Sequence, residues 1–195
     1  MDSGITKIEA AQRQLVTAIE LFFRNGDPVS IHSLATNAWE VIDALCTNYG
    51  VDSVSDDTRG HIVGSKDLKF DYINSPYRNF FKHSDRDPNS VLEGFNDEKN
   101  DSIIFLGVED YIRLRKTSPI ELQVYQLWYL ALNTDKVAHD ALAEILETLE
   151  AVFPDIKSIG RAEQKRLGLE LIEQYKNDEE LNAHAKVESA FHRLF

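Results

Sequence analysis

Apolar residues recur at three- and four-residue steps along most of the chain, the period that gathers them on one face of an α-helix. Ile8, Ala11, Leu15, Ile19 and Phe22 make the first such face. Thr6 and Glu9 stand at the two ends of a capping box, each side chain satisfying a free backbone donor of the other. Gly26 supplies the stop, because a residue without a Cβ enters the left-handed conformation readily. Asp27-Pro28 makes a turn and Ser30 caps a second helix with the stripe Ile31, Leu34, Ala38, Trp39, Ile42, Leu45 and Tyr49. Gly50 ends it. So short a connection predicts an antiparallel helical hairpin over residues 1–50.

Residues 51–74 lose the period. The polar run from Asp52 to Arg59, with Gly60 and Gly64, predicts loop. Ser75-Pro76 has the form of a cap followed by proline at the first helical position. A short helix from Tyr77 to about Ser84 follows, stopped before Pro88 because the residue preceding proline avoids helical geometry. Ile103, Ile104, Val108, Tyr111, Ile112 and Leu114 predict a fourth helix. Ser118-Pro119 opens a fifth, through Leu122, Tyr125, Leu127, Trp128 and Leu132, apolar on most sides and hence central. Val137 to Phe153 makes a sixth, closed by Pro154. From Arg161 onward, Leu167, Leu171, Tyr175, Leu181, Val187 and Phe191 are spaced for one or two amphipathic helices. No repeat and no strand pattern interrupts the series. The expectation is one all-α domain over 1–195, a bundle of seven or eight helices, with 75–157 central and 158–195 forming amphipathic C-terminal helices.

Composition narrows the class. With 195 residues, 43% hydrophobic and 28% charged, the chain has the balance of a globular domain and can bury most of the surface its unfolded form exposes. A single cysteine, Cys46, lies in an apolar helical pattern. It argues against a disulfide framework and fits a buried thiol better than a nucleophile. The N-terminal residues Met1-Asp2-Ser3-Gly4 lack the basic and apolar regions of a signal peptide. No stretch approaches the roughly 20 apolar residues of a membrane span. A cytoplasmic location without membrane association is expected. The formal net charge of −12 repels phosphate backbones, so extended DNA binding is disfavoured and any RNA chemistry requires a locally basic cleft.

One block carries candidate chemistry: Arg78-Asn79-Phe80-Phe81-Lys82-His83. Arg78 and His83 with four residues between them, and the polar Asn79 directly after the arginine, resemble the motif of the HEPN superfamily. The resemblance implies an all-helical and commonly dimeric protein, here a homodimer. It also implies a metal-independent endoribonuclease, or a degenerate relative, of the kind found in toxin and anti-phage systems. Under it, Arg78 would hold the scissile phosphate, a task suited to the guanidinium fork. His83 would serve as acid or base on the 2′-hydroxyl and leaving oxygen, and Asn79 would orient or polarise one of them. Some of these toxins carry Tyr two residues after the histidine; here that residue is Asp85. On a straight helix, residues five apart lie about 140° apart. Asn79 and His83 therefore share a face, whereas Arg78 joins them only through a bent helix or a second subunit. The Ser30-Ile31-His32-Ser33-Leu34-Ala35 segment, with the run from Asn79 to Pro88, is also similar to a group of short bacterial proteins of unassigned function.

Other interpretations of the same residues stay open. Phe80 and Phe81 would anchor a short helix in the core while Arg78, Lys82, Asp85, Arg86 and Asp87 form a solvated or ion-paired rim, with His83 favoured at a helix end by the helix dipole. A metal site would need His32, His83, Asp85 and Asp87 to converge, since no His-x-x-x-His or Glu-x-x-His pair exists to make a local ligand face. His61, His139, His184 and His192 fit surface or loop positions. No glycine-rich phosphate loop or Gly-x-Ser-x-Gly elbow is present, so neither a nucleotide cofactor nor serine-hydrolase chemistry is implied. Beside the ribonuclease stands a second function: a non-catalytic acidic helical module whose surface and C-terminal helices engage a protein partner.

Overall fold

The computed structural model describes residues 4–190. The expectations for the first three residues, for Phe191 and His192 and for the His139 side chain lie outside the described residues. Thr6 caps α1 (Lys7–Phe23), and both halves of the capping box with Glu9 form. The chain leaves this helix differently from expectation. Asn25 takes the left-handed conformation, with φ of 55°. Gly26 instead lies so close to the Leu21 carbonyl that a Cβ would stand 3.0 Å from its oxygen. Asp27, rather than Ser30, caps α2 (Pro28–Tyr49), accepting from the Ser30 amide at 2.7 Å with Pro28 in the first turn. A carboxylate at that position also complements the helix dipole, which a hydroxyl does not. Gly50 closes α2 at φ of 63°, as expected. Tyr49, placed in the apolar stripe by its spacing, is exposed instead.

The region predicted as loop is largely helical. Ser53 caps α3 (Val54–His61) through the Asp56 amide. A wide helical segment of π type follows, Leu68–Arg78, broken by extended backbone at Ser75 and leading directly into α4 (Asn79–Lys82). The remaining elements are α5 (Asp101–Arg115), α6 (Ile120–Leu132), α7 (His139–Val152), α8 (Arg161–Lys176) and α9 (Glu179–Asn182), with short 3-10 turns before α5, between α6 and α7 and between α7 and α8. Among the described residues the fold is all-α, 71% helical with ten helices when the wide segment is counted, and no strand occurs. A parallel bridge, Ser118 to Val187, ties the C-terminal segment to the start of α6.

The buried side chains form one contiguous cluster. α1 packs along α2, α2 along α5, and α6 lies against α1, α5 and α8. At its centre Phe22 meets Trp128 edge-on, ring centroids 5.2 Å apart, and Phe23 meets the same indole at 5.6 Å. Such edge-to-face pairs match the positive ring edge to the negative face of its neighbour. Leu122, Val124, Tyr125 and Trp128 of α6 are fully buried, so the apolar fifth run is the central helix that its composition predicts. No helix among the described residues is long and apolar enough to cross a membrane.

Candidate functional site

α2 and the wide segment together position Arg78. Asn74 and Arg78 lie one turn apart, and the guanidinium donates to Asn74 Oδ1 at 2.9 Å. Asn37 and Glu40, three apart on α2, present the opposing groups. Arg78 forms an ion pair with Glu40 and donates to Asn37 Oδ1 at 3.4 Å. Lys82 donates to the same Asn37 oxygen at 3.0 Å, and Lys69 pairs with Glu40 at 2.6 Å. Three cations thus surround one carboxylate. Partial burial opposes ionisation of Glu40, but the hydrogen bond from Lys69 and the charges of Arg78, Lys69 and Lys82 outweigh it and hold the carboxyl below its usual pKa. Lys82 is pushed down, first by partial burial and then by Arg78.

The other two motif residues stand apart from this cluster. α4 is a single turn, and Asn79 on it is exposed. His83 follows the helix in a non-helical conformation, 45% exposed, its Nδ1 3.9 Å from Asp85. No hydrogen bond joins Arg78 to Asn79 or His83 side chains among the described residues. The Arg78 side chain is only 14% exposed. Of the residues weighed for a metal, His83 and Asp85 approach one another, whereas His32 is buried in α2. No group of three or more histidine, cysteine, aspartate or glutamate side chains gathers in a metal-holding arrangement among the described residues.

His32 has a setting of its own. Tyr77, Phe81 and Phe95 surround it edge-on, with centroids 5.6, 5.8 and 5.5 Å away. Phe80 and Phe81 are both half-buried and lie outside the main hydrophobic cluster, so Phe81 meets the His32 ring without entering the core. Nδ1 of His32 lies 3.0 Å from Asn100 Oδ1, and the Asn100 amide donates to the Pro28 carbonyl at 3.1 Å. Burial lowers the His32 pKa, outweighing the bond to Asn100, and the charge of Arg78 lowers it further. Cys46 is fully buried, its thiol against the Asp110 carbonyl, and burial pushes its pKa up to about 12. That is the state of an inert core thiol.

Reading the block in isolation missed Asn37, Glu40, Lys69 and Asn74. Their signal was present: Asn37 with Glu40 and Asn74 with Arg78 have the spacing of one helical turn. It becomes legible only when residues 68–78 are taken as helical. No protein-family model, curated protein or solved structure matches this chain. Its class therefore rests on its own geometry: an all-α protein with a cationic cluster centred on one carboxylate.

Proposed function

We propose that the chain is a non-catalytic helical interaction module, a degenerate relative of HEPN-like proteins in which Arg78 has become a structural strut. The observation that supports this reading is the engagement of Arg78. Its guanidinium is held by Glu40, Asn74 and Asn37 and is largely withdrawn from solvent. A phosphate would have to displace a carboxylate already bound there, leaving the partly buried Glu40 with Lys69 as its remaining ion-pair partner. The partner that suits the module is a protein with a basic face, since the chain carries a net charge of −12 and complementary charge steers association.

A second reading keeps one observation on its side. Lys69, Arg78 and Lys82 concentrate positive charge near the exposed Asn79 and His83, the local basicity that RNA binding demands of an acidic protein. Under this reading a homodimer supplies a second copy of the motif across the cleft, and the activity is metal-independent RNA cleavage. RNA cleavage by purified protein in excess EDTA, beside Arg78→Ala and His83→Ala, separates the two. The module reading expects no cleavage by the wild type, a stability loss of about 1–2 kcal/mol in Arg78→Ala from breaking a partly buried pair, and a change within about 0.5 kcal/mol in His83→Ala. Cleavage by the wild type that disappears in both folded variants overturns it in favour of the ribonuclease.

A further inference from the structure

α3, the wide segment and α5 enclose a cavity of about 520 Å³, within the size range of small-molecule sites. Leu68, Ile73, Ile103 and Leu106 give it apolar walls, and His32 contributes to its lining. The hydrogen bonding of His32 leaves it incomplete. The Asn100 amide group faces the Pro28 carbonyl, so its oxygen is what meets Nδ1. Nδ1 therefore carries the hydrogen, and in the neutral ring Nε2 is left as an acceptor. That nitrogen is buried without a hydrogen-bond partner, in a residue only 3% exposed. Buried polar atoms are nearly always satisfied, and one that is not calls for a ligand or water to complete it.

Charge supplies the second observation. The chain has 33 acidic residues, yet none lies among the described residues lining the cavity. Lys99 does, exposed and without an ion-pair partner among the described residues. We propose that this cavity binds an anionic amphiphile. Its apolar body fills the cleft between the wide segment and α5, a hydroxyl or N–H donates to His32 Nε2, and its acidic group meets Lys99. The proposal is independent of the Arg78 cluster, because an inactive or active motif leaves the cavity as it is.

Anilinonaphthalene sulfonate is a suitable probe, with fused rings, one N–H and one sulfonate; phenylnaphthylamine has the same body and N–H but no charge. Fluorescence titration should give one anilinonaphthalene sulfonate per natively folded chain. Lys99→Glu should weaken it by roughly five-fold while leaving phenylnaphthylamine within about two-fold, the size expected of an exposed charge contact. Ser102→Trp, at an exposed lining position of α5, should abolish binding of both probes. Val63→Trp, at a lining position 86% exposed, provides the same blockade should the first variant fail to fold. Binding without a one-to-one end point, or undiminished in a folded blocking variant, overturns the cavity. Equal losses of the charged and uncharged probe in Lys99→Glu overturn the anionic group.

Discussion

Ser55 carries more of the fold than its size suggests. The Trp39 indole N–H donates to Ser55 Oγ at 2.8 Å, and Ser55 Oγ donates in turn to Asp110 Oδ2 at 2.5 Å. The Ser55 amide adds a bond to Asp110 Oδ1 at 3.2 Å. All three residues are essentially inaccessible to solvent. Burial raises the Asp110 pKa, and the two bonds from Ser55 oppose the rise. Ser55→Ala would leave an indole N–H and a carboxylate oxygen buried without partners. At about 1–3 kcal/mol for each group, the expected loss is about 2–6 kcal/mol, measured by urea unfolding. A loss below about 0.5 kcal/mol, the level of a neutral surface change, would mean that water replaces the hydroxyl. The network could not be read from sequence, because its members are far apart in the chain and Ser55 lies in a run whose polarity resembles a loop. The same holds for Arg78: the residue and its neighbours in the block were legible, but Glu40, which decides its state, comes from another helix.

At the scale of elements, legibility follows how each helix is stabilised. α1, α2, α5 and α6 bury apolar stripes in the common core, so period alone reveals them. α3 buries Ser55 and little else, which erases its period; only the Ser53 cap and Asp56 three residues later marked its start. The wide segment is hidden for a different reason, since its turns depart from the 3.6-residue repeat on which pattern reading rests. α8 was legible as amphipathic but not in how closely it packs. Gly168 faces Phe23 of α1, and a Cβ there would stand 2.2 Å from the ring. Both glycine and phenylalanine are buried, and Phe23 is held between Phe22, Tyr125 and Trp128. The general helix preference for alanine over glycine, about 1 kcal/mol, is therefore reversed at this position. Gly168→Ala should destabilise by about 2–3 kcal/mol through overpacking, read from thermal or urea unfolding. A stabilised variant would show that α8 can move off α1 without loss.

For the whole molecule, the excess of acidic residues was plain from the sequence, whereas its distribution depends on the fold. Arg161 and Lys165 of α8 are held by Asp97 and Asp101 beside the aromatic core, and the cavity beside His32 is kept clear of carboxylates. His32 gives this burial a pH signature. Burial, first, holds its folded pKa below the ordinary histidine value of about 6.5, so as pH falls through that value the unfolded chain takes up a proton that the folded chain refuses. Linkage then requires stability to fall on acidification. The carboxylates act at lower pH and in both directions. Glu40 and Asp97, with lowered pKa, lose stabilisation as they protonate, while Asp101, Glu109 and Asp110, raised by burial, bind protons more readily when folded. Urea unfolding between about pH 7.5 and 5.5 therefore samples the histidine range ahead of the carboxylates. Stability should decline across it, and His32→Gln, which has no proton to take up there, should decline less steeply than the wild type. Parallel slopes for the two proteins would mean that His32 takes up its proton as readily in the folded state as in the unfolded one, so that on acidification Nε2 becomes a donor toward the surrounding aromatic rings and serves as the acceptor beside the cavity only while the ring is neutral.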